Sequence, residues 1–306
     1  MYDSIIAITA FVLIALVSGN NVSVCTGSVI SSRIVKKRTG ILMAIVGYSA
    51  GLLLQGSLLK FGFSSILPSP SPILVEVALL VSSIIFIISH LYKVSLSLSI
   101  TFASVLIGIA LAAGQAINTY FVLEMIMFWI LASAGSVITA FYLMKYLSKR
   151  IYQKNIWGGI GRARIVLIAF SFLTAFVLGS NTIGFVYASM SGVQYSLPIS
   201  ILAIIFGSFL VSGREISRVS KDILPMRYTN ALISQFVSIA FVEFGTLLSL
   251  PLSNSQTFIS SLYGVSMSYK TKLILRKPAV MIVSIWVVTA AISAFLGYAL
   301  THLLLV

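Results

Sequence analysis

Hydroxyl side chains recur twice in one pattern along this chain. Ser95 to Gly108 reads SLSLSITFASVLIG, and Pro251 to Gly264 reads PLSNSQTFISSLYG. At a constant offset of 156 residues, eight of the fourteen positions are identical. The shared positions pair Ser97 with Ser253, Ser99 with Ser255, Thr101 with Thr257, Ser104 with Ser260 and Gly108 with Gly264. Asn254 and Gln256 add amides to the second copy. A second repeated pair is ALVSGNN at Ala15–Asn21 and AFVLGSN at Ala175–Asn181. Its amides are Asn20, Asn21 and Asn181, with Thr182 next in line. None of these groups performs acid–base or nucleophilic chemistry unaided. Hydroxyls beside freed backbone N–H groups suit a small oxyanion instead. The same residue types also let membrane helices pack closely and bond to one another. For any single serine the packing reading holds equally well. For four clusters that duplication places in matching positions, binding is the better reading.

The elements that hold these residues must cross a membrane. The chain is 59% hydrophobic and 8% charged, where a soluble domain carries roughly 25% charged residues. Ten apolar segments follow one another, at 4–30, 40–60, 72–91, 95–114, 119–147, 165–190, 197–213, 228–249, 256–269 and 278–304. Most are about long enough to cross ~30 Å of hydrocarbon, and their hydrophobicity is continuous rather than alternating. The expected class is all-α and polytopic. The first segment reads as a retained span. With ten crossings and an outside N-terminus, 19 of the 20 Lys and Arg fall in cytoplasmic connectors, Lys60 being the exception. That is the asymmetry the positive-inside rule requires.

A basic connector at 148–164 divides the chain into a first half, 1–147, and a second half, 165–306. Five segments per half make the repeats inverted, with a binding site expected between interrupted helices near the midplane. Breaks are expected around Asn20–Asn21, Ser95–Thr101, Gly179–Thr182 and Pro251–Thr257. Trp129 and Trp286 correspond in the last segment of each half.

Other function classes fall away. The net charge of +14 reflects topology, not nucleic-acid binding. Cys25 is the only cysteine and reads as a packing residue, and His90 and His302 are isolated. No metal-ligand spacing, paired catalytic carboxylates, nucleophile elbow or phosphate-cradling loop is present, so neither a cofactor nor an enzyme is expected. Glu243 lies inside the eighth segment, where a carboxylate is costly unless paired, solvated or protonated. It is a candidate for cation coupling, or else lies at the outer interface. Gln235 is a second candidate, or else interhelical glue. Glu76 and Glu124 read as solvated outer residues.

These motifs resemble the inorganic phosphate transporter (PiT) family, which also contains sulfate permeases. GSNTIGFVYASMSG at Gly179–Gly192 is similar to the family's G-A-N-D-V-A-N-A-I-G-P-L-A-G signature. PLSNSQTFISSLYG is similar to P-V-S-T-T-H/Q-A-I-V-G-A-I-I-G, and GREISRVSKDILPMR at Gly213–Arg227 to the basic segment between them. The first half matches through SGNNVSVCTGSVISSR at Ser18–Arg33. The resemblance implies a secondary transporter in the cell membrane that moves phosphate by alternating access with a coupling cation, proton or sodium. A sulfate permease and an anion channel are the alternatives. It also implies the bilayer and a second copy, as a homodimer, for partners. Implied substrate or ion ligands are Asn20, Asn21, Ser97, Ser99, Thr101, Asn181, Thr182, Ser253, Asn254, Ser255, Gln256 and Thr257. The signature Asp, which the family uses for coupling, is absent from both halves. Thr182 replaces it in the second. Asn21 replaces it in the first in one alignment, and Val22 in an alignment shifted by one residue. That loss moves the expectation toward protons and Glu243.

Overall fold

In the computed structural model the described residues are 2–92, 96–151, 156–211, 228–269 and 276–305. Among them there are helices and no strand. The helices are α1 (Tyr2–Ser31), α2 (Lys37–Gln55), α3 (Leu59–Ile66), α4 (Pro72–Leu91), α5 (Leu98–Ala112), α6 (Thr119–Ile151), α7 (Ile156–Val177), α8 (Gly184–Ser189), α9 (Ser196–Leu210), α10 (Tyr228–Leu247), α11 (Asn254–Ser268) and α12 (Arg276–Leu305). A 3-10 turn, Gly56–Leu58, joins α2 to α3, and a π-helix, Leu178–Ile183, joins α7 to α8. The segment Gly213–Arg227, part of the 148–164 connector and the residues near Lys93 and Lys270 lie outside the described residues.

All ten expected segments are helical, but not all are full crossings. Seven helical stretches have the length and hydropathy to span a bilayer. The protein is therefore a multi-pass integral membrane protein. Helices α5, α9 and α11 have 15 residues each, about 22 Å at 1.5 Å per residue, against ~30 Å of hydrocarbon. The second segment runs on past residue 60 to Ile66, interrupted by the 3-10 turn at Gly56–Leu58. It stops where Pro68, Pro70 and Pro72 leave backbone that cannot continue a helix. Pro72 then opens α4, and the Ser71 side chain accepts from Leu74 N.

The expected break at Asn20–Asn21 is not there: α1 is unbroken from Tyr2 to Ser31. The reason is a packing contact. Gly19 lies against α9, where a Cβ would overlap the Gly207 carbonyl. In return, a Cβ on Gly207 would overlap the Ala15 carbonyl. Here the small residues serve a close helix crossing rather than a helix interruption. The second half carries the counterpart. A Cβ on Gly179 would overlap the Tyr48 carbonyl, one on Gly51 the Phe176 carbonyl, and Gly47 faces Ala175.

Packing partners come in matching pairs. α1 packs on α9, and α7 on α2. α5 packs on α12, and α11 on α6. α4 lies on α1, and α10 on α7. The main apolar core gathers α1, α2, α4, α5 and the π-helix with α8, with Phe102 and Phe185 edge to face at 5.2 Å. Smaller clusters join α6 to α10 and α11. Large apolar side chains such as Ile8, Leu54, Leu131 and Leu202 point outward, as a lipid-facing surface demands.

Candidate functional site: two helix starts inside the protein

The two copies of the hydroxyl motif fold alike. Ser97 has extended backbone, φ −96° and ψ 117°, and its side chain accepts from Ile100 N at 3.3 Å. Ser253 has φ −81° and ψ 113°, and accepts from Gln256 N at 3.2 Å. Each is therefore an N-cap that takes up one of the four N–H groups a helix start leaves free. Both serines are buried. Two short helices thus begin in the interior, and their N-termini favour negative charge. No Lys or Arg stands in either motif.

The chain between α10 and α11 is a tight tip. Leu250 N bonds back to Gly245 O at 2.8 Å, and Ser249 takes a left-handed φ of 60°. Three elements hold this tip. From the π-helix, Asn181 Nδ2 donates to Leu250 O and to Thr246 Oγ1, both at 3.0 Å, and Leu252 N donates to Asn181 Oδ1 at 2.9 Å. From α6, Trp129 Nε1 donates to Pro251 O at 2.7 Å. From the other hydroxyl motif, Ser99 Oγ donates to Leu252 O at 3.2 Å. The two repeated motifs therefore meet. The Trp129 contact also sets the position of the tip, roughly 15 Å along α6 from Thr119.

Around the start of α11, Ser253 Oγ and Ser255 Oγ share a hydrogen bond at 3.0 Å. Ser238 of α10 donates to Asn254 Oδ1 at 2.7 Å and bonds Thr257 Oγ1 at 2.6 Å. Gln256 Nε2 donates to the Trp129 carbonyl at 3.4 Å. Some buried polar atoms have no partner among the described residues: Thr101 Oγ1, Asn254 Nδ2 and Gln256 Oε1. Polar atoms left bare in the interior are costly, and a polar ligand would relieve that cost. Thr182 is buried in the same π-helix as Asn181. A π turn at this point widens the helix, a rare distortion that is frequent at functional sites.

Asn20 and Asn21 stand apart from this arrangement. Both are half-buried on α1, and neither side chain makes a hydrogen bond among the described residues. Gln235 is fully buried and acts as glue: its Nε2 donates to Cys25 O at 3.0 Å, Ser28 Oγ at 3.1 Å and Ser171 Oγ at 3.4 Å, joining α10 to α1 and α7. Glu243 is half-buried and accepts from Gln55 Nε2 at 2.6 Å. Glu76 is not simply solvated, since it is half-buried and accepts from Thr9 Oγ1 at 3.0 Å. Glu124 is exposed as expected. Sequence reasoning missed Gln55, Thr246 and Ser238. A lone Gln at the end of an apolar run was the available signal for Gln55. Thr246 and Ser238 are unremarkable hydroxyls until the tip folds onto them.

Three comparisons bear on this arrangement. The model of the phosphate transporter family matches residues 17–297. A protein of Methanocaldococcus jannaschii, named "Putative phosphate permease MJ0630", is 25% identical over 297 residues, covering 97% of this chain and 96% of its own length. A solved structure titled "The sodium-dependent phosphate transporter" superposes with a TM-score of 0.83 at 14% identity, covering 99% of this chain and 98% of that one. At that identity the match speaks to the fold. The family consists of transporters, not enzymes. From Val17 to Gly297, spanning both hydroxyl motifs and the tip-holding Asn181, this chain belongs to the phosphate transporter family.

Proposed function

We propose that this protein carries inorganic phosphate across the cell membrane, coupled to a cation, by exposing one central site to each side in turn. The observation that carries the reading is the pair of interior helix starts capped by Ser97 and Ser253, brought together by the bond from Ser99 to Leu252. Free first-turn N–H groups and hydroxyls there offer donors to an oxyanion without a fixed counter-charge. The proposed ligand set is Ser97, Ser99, Thr101, Ser253, Asn254, Ser255, Gln256 and Thr257, with Asn181 and Thr182 shaping it from the π-helix. Asn20 and Asn21 line the approach from α1.

The halves 1–147 and 165–306 are read as inverted repeats around the 148–164 connector. The offset between the motifs and the matched packing partners support this reading. One observation favours phosphate over sulfate. Gln256 Oε1 is a buried acceptor without a donor. Hydrogen phosphate carries an O–H to satisfy it, and sulfate has none.

The test is uptake of radiolabelled phosphate and sulfate by proteoliposomes, with proton and sodium gradients imposed separately. Saturable phosphate accumulation that sulfate does not inhibit is expected. Flux that only equilibrates, without accumulation under either gradient, would identify a channel instead.

A further inference from the structure

A half-buried amide–carboxyl pair lies apart from the hydroxyl clusters. Gln55 closes α2, and Glu243 stands one turn before the end of α10. Gln55 Nε2 donates to Glu243 Oε1 at 2.6 Å. The two remaining oxygens, Gln55 Oε1 and Glu243 Oε2, are both buried and both without a partner among the described residues. Both are acceptors, so the pair lacks a donor at two places. The pair also lies deep. Phe244, the next residue, packs against Phe128 at 6.0 Å, roughly 14 Å along α6 from Thr119.

No charged neighbour compensates Glu243: among the described residues none forms an ion pair with it. The π-helix carries no titratable side chain, and α11 carries only Tyr263. On α6, Glu124 is exposed near the start, while Lys145 lies toward the opposite end. Arg162 and Arg164 of α7, and Lys37 and Arg38 of α2, stand near the starts of those helices, far along them from the π-helix and from Gln55. Lys60 of α3 is exposed. An ionised carboxylate with a bare buried oxygen is costly in this setting.

A primary amide and a carboxylic acid can satisfy each other completely. The amide N–H donates to one acid oxygen, and the acid O–H donates to the amide carbonyl. A single proton on Oε2 supplies the missing donor for both bare oxygens at once. We propose that Glu243 and Gln55 form a proton site, with the proton on Glu243 Oε2 and donated to Gln55 Oε1, and that this is the cation exchanged during transport. Only an O–H bond forms and breaks, with water on either side of the membrane as the source and the sink. The route to the anion site is short. Thr246, one turn along α10, accepts from Asn181, which holds the tip. The coupling half of this inference rests on the proposed transport function; the protonation half does not.

Infrared spectroscopy of the full chain in liposomes at neutral pH tests the protonation half. We expect a carboxylic-acid carbonyl band that shifts in deuterium oxide. It should be absent from Glu243→Gln and should move to higher frequency in Gln55→Leu, where the amide acceptor is gone. A spectrum whose acid bands are unchanged by Glu243→Gln overturns the proposal. So does an acid band that sodium chloride abolishes and choline chloride does not, which would make sodium the occupant. The coupling half is read from uptake. Phosphate accumulation should follow an inward proton gradient, and the pH profile should shift in Gln55→Leu. Accumulation driven by sodium and indifferent to pH overturns it. If the band behaves as expected but no phosphate moves under any gradient, the proton site stands and the phosphate-transport reading fails.

Discussion

Replacing Asn181 with Ala removes three hydrogen bonds, those to Thr246 Oγ1, Leu250 O and Leu252 N. All three connect the π-helix to the tip between α10 and α11. Side-chain hydrogen bonds between membrane helices average about 0.6 kcal/mol, so three contribute about 2 kcal/mol. The loss also strands the Leu250 carbonyl and the Leu252 N–H in a region where both residues are buried. Each such orphan costs about 1 kcal/mol or more, so 2 kcal/mol is a lower bound. At 1.4 kcal/mol per factor of ten, the equilibrium ratio of held to released tip should fall about 30-fold, and its occupancy with it once the released state predominates. Phosphate uptake by Asn181→Ala at subsaturating concentration should fall by about that factor, with the yield of monodisperse protein little changed. Thr246→Val removes one of the three bonds and should lower uptake by only about threefold. Because Thr246 acts on the tip only through Asn181, the double variant should be no worse than Asn181→Ala alone. Uptake by Asn181→Ala within threefold of the parent would refute the reasoning, as would additive losses in the double variant.

Gly51→Val and Gly207→Val should abolish recovery of folded protein, because their side chains would overlap the Phe176 and Ala15 carbonyls. Gly161→Ala, where a Cβ meets nothing within 4 Å, should leave size-exclusion behaviour unchanged. Ser97→Ala and Ser253→Ala each remove an N-cap worth about 1 kcal/mol, measurable as a lower melting temperature, with reduced phosphate affinity. Thr101→Val replaces a buried hydroxyl that has no partner, so thermal stability should hold or rise while phosphate uptake falls. In a Cys25→Ala background, single cysteines at the exposed positions 64 and 68–71 should react with impermeant reagents from outside, and those at 31–39 only after permeabilisation.

The residues that were legible in the sequence are those whose role is local or repeated. Ser97 and Ser253 announced themselves by the 156-residue offset and became matching N-caps. Pro251 marked the tip before α11 because its missing N–H leaves a gap in any helix. The Gly19–Asn21 cluster misled, since poor helix formers foretell a break only when tertiary packing does not need their small size. Here Gly207 needs it. The Gln55–Glu243 pair was illegible because its members are 188 residues apart and neither sits in a motif. Asn181 reads as a ligand from its place in the repeated ALVSGNN/AFVLGSN pair and in the signature-like Gly179–Gly192 stretch. Its three bonds to the tip could emerge only once the tip had folded back onto the π-helix.

The glycine crossings have a consequence for how the protein is made. Helix α1 lies against α9, and α2 against α7, so two helices made early find their closest partners in the later half of the chain. Until α7 and α9 arrive, the seams at Gly19, Gly47 and Gly51 face lipid, with no opposing backbone to close on them. Early helices can pack on one another through the shared apolar core but cannot close these seams, and full compaction is a late event. Two fragments, one covering 1–151 and one starting at 156, should each insert without folding stably alone and should complement each other when co-expressed. A truncated product would present open glycine seams at Gly19, Gly47 and Gly51.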